Sequence, residues 1–229
     1  MQCYRVYFVI FALWLFPASA ESTRQRLNYF TPDYHTSHYV IDILKLGMSK
    51  NPALDNIQLH NINYQHSTES DQIALLERGV IDIFWDGTSS EREQNFAAVR
   101  IPLYKGLLGY RVFLTHKDNL SRFENINESA LKQLVACQGE SWPDTSILEH
   151  NGYTVATASR FIQLIKLTNK KRCDYFPRAI YEGLNEINWL ADKFPDLRLV
   201  EDVLLSYRLP IFLIGRKTEA ETANSPPEG

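Results

Sequence analysis

Apolar and polar positions recur along the chain with two periods, and these periods predict a succession of strands and helices. Apolar runs of strand length lie at residues 27–30, 57–59 and 81–85. Apolar positions with the i, i+3, i+4, i+7 spacing of a helix are Val40, Ile43, Leu44 and Gly47. A second helical pattern follows Thr68 and Ser70, which are candidate N-caps, and ends at Gly79. The first part of the chain is therefore predicted to be a βαβαβ unit with a parallel sheet covered by helices.

The same alternation restarts after Leu114, which predicts a second lobe. Further strands are expected at residues 134–137, around Val155, at 173–176 and at 197–200. Helices are expected to begin within 140–145, after Ser159 and at Pro177, because proline suits a first helical turn. The chain then returns through 206–210 to a strand at 211–214, which we assign to the first lobe. The predicted fold class is α/β with two lobes, lobe I being 21–112 and 206–229 and lobe II being 113–205.

The stretch from Ile81 to Lys117 concentrates the candidate chemistry. A buried strand at 81–85 runs into a polar turn, and Glu91 to Glu93 are predicted to form the first turn of a short helix. The hydroxyls of Thr88 and Ser89 and several backbone N–H groups thus follow the carboxyl end of a strand, where open α/β sheets bind small ligands. Arg92 stands behind them and can hold a carboxylate through two parallel hydrogen bonds.

This stretch resembles a pattern found in bacterial solute-binding proteins of the polar-amino-acid type. The matching positions are Leu76, Gly79 and Asp82, then Thr88 to Arg92, and then Val99, Pro102, Tyr104 and Gly106. The resemblance implies the two-lobed type II periplasmic-binding-protein fold, with two crossings between the lobes and the ligand held in the cleft between them. It also implies that the protein binds an amino acid or an amino-acid-like solute by lobe closure and delivers it to an ABC importer, without a cofactor and without catalysis.

The resemblance assigns roles to individual residues. Arg92 is expected to bind the ligand's carboxylate, and Asp174 is expected to accept its ammonium group. Tyr34 falls where such proteins place an aromatic wall, and Trp142 lies in a segment that resembles their second-lobe loop and helix. Arg178 follows Asp174 and can reach the same cleft.

Each assignment has an alternative that the residues leave open. Arg92 lies in a Glu-Arg-Glu run that is typical of a solvated surface, and Tyr34 is a tyrosine in a turn. Asp174 needs a partner at a strand end, and that partner is a ligand or one of its neighbours Lys171 and Arg172.

The aromatic and basic candidates of lobe II have alternatives as well. Trp142 and, in lobe I, Trp85 are either lids over a ligand or packing residues, and packing is the preferred interpretation for Trp85. Arg178 is placed to pair with Glu182 one helical turn later instead of facing the cleft.

Residues 1–20 have the anatomy of a cleaved secretory signal, with Arg5 before an apolar run and a small-residue stop at Ala18 to Ala20. Removing them leaves 209 residues with 23 basic and 27 acidic side chains, a formal charge of −4. This mildly acidic composition argues against nucleic acid as a partner. The predicted location is the periplasm, where a disulfide is chemically allowed. Cys137 and Cys173 lie in apolar runs, and we expect them to be free thiols.

Other functional classes have weaker support. Asp33, His35 and His38 are metal-ligand types at close spacing, but no helical HExxH pattern or cysteine accompanies them, so no metal is expected. The sequence contains no GxSxG motif of the kind that would indicate a hydrolase. A periplasmic hydrolase or lyase with the same cleft stays an alternative.

The partners follow from the resemblance. We expect a monomer that binds a small-molecule solute and docks on a membrane permease. The rival is a ligand-sensing module that serves a separate membrane receptor. Residues 216–229 are polar and contain two prolines, so we expect the helix that such proteins add after the return strand to be missing.

Overall fold

The computed structural model describes residues 25–30, 37–62 and 68–218. The strands in these ranges are β1 (Gln25–Tyr29), β2 (Ile57–Asn61), β3 (Ile83–Gly87), β4 (Ala97–Val99), β5 (Tyr110–His116), β6 (Val135–Gly139), β7 (Thr154–Ala158), β8 (Phe176–Ala179), β9 (Leu197–Ser206) and β10 (Ile211–Gly215). The α-helices are α1 (Ser37–Met48), α2 (Glu69–Glu77), α3 (Ser90–Asn95), α4 (Glu128–Leu131), α5 (Pro143–His150), α6 (Phe161–Asn169) and α7 (Ile180–Leu190). Short 3-10 helices lie at Pro52–Leu54, Leu107–Gly109 and Lys117–Phe123. The predicted signal sequence falls outside the described residues.

Lobe I is built on a sheet with the strand order β2-β1-β3-β10-β4. Strands β1, β2 and β3 are parallel, as the βαβαβ pattern predicts. Strand β10 is antiparallel to β3, with Leu213 opposite Trp85, so the assignment of the return strand to lobe I is confirmed. The sequence pattern missed β4, a three-residue strand on the other edge of β10.

Local signals around α2 fix how the chain enters β3. Thr68 and Asp71 form a reciprocal capping box at the start of the helix. Gly79 ends it with a φ of 72°, a left-handed conformation that glycine adopts without strain. Asp82 then accepts a hydrogen bond from the backbone N–H of Asn28 at 2.7 Å, which anchors β1 beside the start of β3.

Lobe II contains the strand order β8-β5-β9 and the parallel pair β6-β7. A parallel bridge between Ala136 and Tyr175 joins the pair to β8. Successive residues of β5 point to opposite faces, so Phe113 and Leu114 enter separate apolar clusters, one on each side of the sheet. Because β8 is antiparallel to β5 and parallel to β6, the carboxyl ends of β6, β7 and β8 all point toward the first residues of β5.

The two crossings between the lobes lie side by side. Tyr110 at the start of β5 pairs with Ser206 at the end of β9, and Arg111 pairs with Leu205. The predicted lobe boundaries, after residue 112 and before residue 206, therefore fall within this paired segment. The crossings form a two-stranded ribbon between the lobes.

Pro177 lies inside β8, so the prediction that it begins a helix is wrong, and α7 begins at Ile180. Strand β8 pairs with β5 on one side, and its other edge has only the Tyr175 bridge to β6. A proline lacks the N–H needed for a second ladder, and such an edge tolerates it.

Cys137 and Cys173 form a disulfide, which corrects the expectation of free thiols. The two residues are 36 positions apart, but the chain before β8 runs beside β6, and the N–H of Cys137 donates to the carbonyl of Tyr175 at 2.8 Å. This pairing brings the Cα atoms to 5.5 Å, within the range that a disulfide spans.

Candidate functional site

Arg92 is placed by the short helix α3 at the carboxyl end of β3. The hydroxyl of Ser89 accepts a hydrogen bond from the backbone N–H of Arg92 at 3.2 Å and caps the helix. Thr88 donates its hydroxyl to Glu93 at 3.1 Å. Both hydroxyls thus fix the helix that carries Arg92, and Arg92 itself is buried rather than solvated.

The guanidinium of Arg92 joins the two lobes. Its Nη1 donates to a carboxylate oxygen of Asp86 at 2.6 Å and to the carbonyl of Gly87 at 2.6 Å. Its Nη2 donates to the carbonyl of Ser141 in lobe II at 3.1 Å. The guanidinium of Arg92, which was expected to hold the ligand's carboxylate, therefore already binds the carboxylate of Asp86.

Burial changes the proton affinity of this pair. Desolvation raises the pKa of Asp86 to about 7, the Gly87 N–H opposes the rise, and the negative charges of Asp144 and Glu182 add to it. Desolvation also lowers the pKa of Arg92 to about 10, so the guanidinium stays charged at neutral pH.

A second buried arginine, Arg111, lies in the crossing segment and organises a polar network. Its Nη2 donates to Asp144 at 2.5 Å, and its Nε donates to the hydroxyl of Tyr207 at 2.9 Å. The same oxygen of Asp144 accepts hydrogen bonds from the amide of Gln138 at 2.8 Å and from the Tyr207 hydroxyl at 3.1 Å. Sequence reasoning missed these residues. Their one signal is an arginine at the second position of an otherwise apolar strand.

Arg178 at the carboxyl end of β8 is the third buried arginine. It holds Glu186 through two hydrogen bonds of 2.8 and 2.7 Å, and its Nη2 lies 2.9 Å from Glu182. Its guanidinium also lies over the Trp142 ring, 5.0 Å from the centroid. The pairing with Glu182, one of the two alternatives for this residue, is present.

Asp174 does not join these residues. It precedes the first residue of β8, whereas Arg178 and Ala179 lie at the opposite, carboxyl end of that strand. Asp174 pairs with Arg122 and accepts a hydrogen bond from the N–H of Val135 at 2.7 Å. The cation comes from Arg122, 52 residues away in the 3-10 helix Lys117–Phe123, which corrects the expectation that Lys171 or Arg172 supplies it.

The aromatic candidates are spread over both lobes. Trp142 packs on Phe176 with ring centroids 6.0 Å apart, and its indole lies so close to Gly139 that a Cβ there would collide with it. Trp85 is partly buried, with its ring 6.3 Å from that of Tyr29, in agreement with the packing interpretation. Tyr34 lies outside the described residues.

Apolar side chains from both lobes complete the contact between them. The rings of Tyr104 in lobe I and Tyr181 in lobe II are stacked, with centroids 4.8 Å apart and planes 6° from parallel. They belong to one cluster with Val40 of α1 and Ala179 of β8. The lobes thus meet through an aromatic stack on one side and the Arg92 hydrogen bonds on the other.

Within the described ranges, no group of three or more metal-ligating side chains could hold a metal ion. None of the helices there has the length and apolar character needed to traverse a bilayer. The chain matches no protein-family model and none of the curated proteins.

Solved structures with the same fold are numerous. The VFT2 domain of Bordetella pertussis BvgS superposes with a TM-score of 0.62 at 15% identity, over 88% of this chain and 84% of that domain. A histidine kinase sensor domain similar to periplasmic binding proteins gives 0.62 at 13% identity, over 87% and 86%. The arginine-bound form of a truncated arginine-binding protein from T. maritima gives 0.57 at 16% identity, over 88% and 92%. The two-lobed, type II periplasmic-binding-protein-like fold is thereby confirmed, and the similar structures are binding and sensing domains.

Proposed function

We propose that the protein binds a small, amino-acid-like solute between its lobes and that lobe closure buries the solute. The position of Arg92 carries this proposal, because its buried guanidinium lies where the lobes meet and donates to Ser141 of the opposite lobe. When the lobes part, Nη2 loses Ser141, and a solute carboxylate can take its place. The 2.6 Å contact with Asp86 supports this step, since it gives the geometry in which the same guanidinium holds a carboxylate.

The test is a thermal-shift screen of the mature protein against amino acids, small peptides and polyamines, followed by calorimetry of the best amino-acid binder. A binder at a hundred times its dissociation constant stabilises a protein by about 2.7 kcal/mol. Arg92→Ala should weaken that binder at least about tenfold, the equivalent of about 1.4 kcal/mol, because hydrogen bonds to charged groups contribute about 1.5–3 kcal/mol each. Arg92→Lys should restore only part of the affinity, because lysine lacks the planar fork.

Arg100→Ala is the matched control, since Arg100 is an exposed arginine of the same lobe that pairs with Glu93. It should leave the affinity unchanged. Normal binding by Arg92→Ala would remove Arg92 from the site. A solute recovered chemically altered would favour the hydrolase or lyase alternative.

We also propose that this binding takes place in the periplasm, after removal of the predicted signal sequence, and that a membrane permease of an ABC importer receives the solute. The similarity to an arginine-binding protein supports this role. The similarity to a histidine kinase sensor domain, with a TM-score of 0.62, supports the alternative in which a separate membrane receptor recognises the loaded protein. Crosslinking of the protein to its native membranes, with identification of the attached membrane protein, distinguishes a permease from a receptor.

A further inference from the structure

Above about pH 7, where Asp86 is ionised, the described charged side chains at the contact between the lobes carry more negative than positive charge. The buried cations of this contact are Arg92, Arg111 and Arg178. The carboxylates that face them are Asp86, Asp144, Glu182 and Glu186. Each guanidinium holds at least one of these carboxylates, and one carboxylate is in excess. A charge without a dedicated partner in a largely buried setting is costly, so this contact favours an additional cation.

Glu182 is the carboxylate in excess. Arg178 is bound to Glu186 by two parallel hydrogen bonds, and its Nη2 is shared with Glu182 at 2.9 Å. Glu182 also accepts a hydrogen bond from the N–H of Ala179 and lies 3.9 Å from Arg111. These contacts fall on Oε2, so Oε1 is the oxygen from which Glu182 can accept a further hydrogen bond.

An independent observation comes from Gln138 at the carboxyl end of β6. Its side chain is completely buried, and its amide nitrogen donates to Asp144. This hydrogen bond fixes the orientation of the amide, because the oxygen would repel a carboxylate. The amide oxygen is then a buried acceptor without a partner among the described residues. Only a donor satisfies it, and a buried acceptor left unsatisfied is costly.

The remaining carboxylate, Asp86, faces the same region from lobe I. Its partner Arg92 also donates to Ser141, three residues before Asp144, which places Asp86 beside the start of α5. Burial raises the pKa of Asp86, and the charges of Asp144 and Glu182 add to the rise, in agreement with this placement. Bringing a cation among the three carboxylates relieves their repulsion. A solute carboxylate, by contrast, adds a further negative charge and has to compete with an internal carboxylate for every arginine.

We propose that Glu182, Asp144 and Asp86, together with the unpaired amide oxygen of Gln138, form a subsite for a cationic group of the solute, a primary ammonium or a guanidinium. The cation is the required feature of the solute, and a carboxylate on Arg92 adds affinity without being essential. This inference rests on the proposed function, because it assigns specificity within the same cleft. The proposed subsite replaces Asp174 as the acidic part of the site with residues on or just after the carboxyl ends of β3, β6 and β8.

Three small probes of similar length separate the contributions of the two charges. Putrescine carries two ammonium groups, L-ornithine is putrescine with an added α-carboxylate, and glutarate carries two carboxylates. At pH 8 and constant ionic strength, ornithine and putrescine should raise the melting temperature, and glutarate should not. Calorimetry should show a higher affinity for ornithine than for putrescine. Arg92→Ala should lower the affinity for ornithine to that for putrescine.

The subsite variants are Glu182→Gln and Gln138→Leu. The first keeps an acceptor for the N–H of Ala179, and the second leaves Asp144 bound to Arg111 and Tyr207, so both should fold. Each variant should bind putrescine at least about tenfold more weakly than the wild type does. Asp202→Asn removes an exposed carboxylate on β9 and should leave the affinity unchanged.

Glutarate binding without putrescine or ornithine binding would overturn the subsite and leave the proposed function intact. The subsite is likewise overturned if neutral or acidic amino acids bind in an Arg92-dependent way and the cationic probes do not. Unchanged putrescine affinity in both variants would also overturn it, with a buried water then satisfying Gln138. Failure of every compound in the screen would overturn the proposed function as well.

Discussion

At the contact between the lobes, individual side chains already form hydrogen bonds with one another. A ligand that binds there has to replace some of these hydrogen bonds. Asp86 near the end of β3 and Arg92 on α3 are six residues apart and form a hydrogen bond of 2.6 Å, so the turn between strand and helix folds with this carboxylate on the arginine. A solute that binds Arg92 replaces an interaction instead of filling an empty one. Net affinity at this residue is therefore the gain from the solute carboxylate less the loss of the hydrogen bond to the Ser141 carbonyl, and single substitutions will affect both stability and binding.

The raised pKa of Asp86 predicts how stability depends on pH. An acid whose pKa is about 7 in the folded protein and near 3.8 when unfolded holds its proton better in the folded state. Its contribution to the free energy of unfolding is therefore largest below about pH 4 and is lost as the pH rises to about 7. Asp86→Asn cannot titrate, so this fall should be smaller in the variant than in the wild type.

Urea unfolding of both proteins between pH 4 and pH 8 measures this difference. Burial also raises the pKa of Glu186, which produces a fall of the same sign, but it does so in both proteins and cancels in the comparison. Parallel stability curves for wild type and variant would show that Asp86 titrates with an ordinary pKa.

At the residue scale the sequence predicted what depends on near neighbours. The short helix around Glu91 to Glu93 and the alternative in which Arg178 pairs with Glu182 both follow from local spacing. The capping role of Ser89 was not predicted. The partner of Asp174 is 52 residues away and could not be inferred from the residues beside it. The same holds for Arg111 and Asp144, which are 33 residues apart in the sequence.

At the scale of elements, the period of apolar positions predicted most strands and helices, and the errors have a common cause. Strand β4 is too short to show a period, and Pro177 was assigned by its local preference instead of its place at an open sheet edge. The disulfide depends on which strands become neighbours. Parallel pairing between β6 and the chain before β8 decides that, and a sequence pattern does not specify it.

The disulfide gives a prediction for lobe II. It closes a loop of 36 residues that contains α5, β7 and α6, and the chain-entropy model gives such a loop about 3–4 kcal/mol. The double variant Cys137→Ala/Cys173→Ala should therefore lose about 2–4 kcal/mol of unfolding free energy. Urea unfolding measures the loss, and wild type in a reducing agent should shift toward the variant while the variant itself does not respond. Equal stability of both proteins would show that the cysteines are not bonded in solution.

At the scale of the whole molecule, closure depends on contacts that need no solute. The two crossings pair as a ribbon, the Tyr104–Tyr181 stack joins the lobes on one side, and Arg92 joins them to Ser141 on the other. Aromatic pairs contribute about 0.5–1.5 kcal/mol beyond the area they bury. Together with the apolar cluster that both lobes share, these contacts favour a closed arrangement before a solute arrives.

Small-angle X-ray scattering of the unliganded mature protein tests this arrangement. The radius of gyration should match the closed structure, because opening the lobes exposes the shared cluster and breaks the Arg92–Ser141 hydrogen bond. Tyr181→Ala removes the stack and should raise the radius of gyration, and a binding solute should lower it again. Leu204→Ala, at an exposed position on β9, should leave it unchanged. A wild-type protein that is open without solute and closes only on binding would contradict closure by internal contacts, and the energy for closing would then have to come from the solute alone.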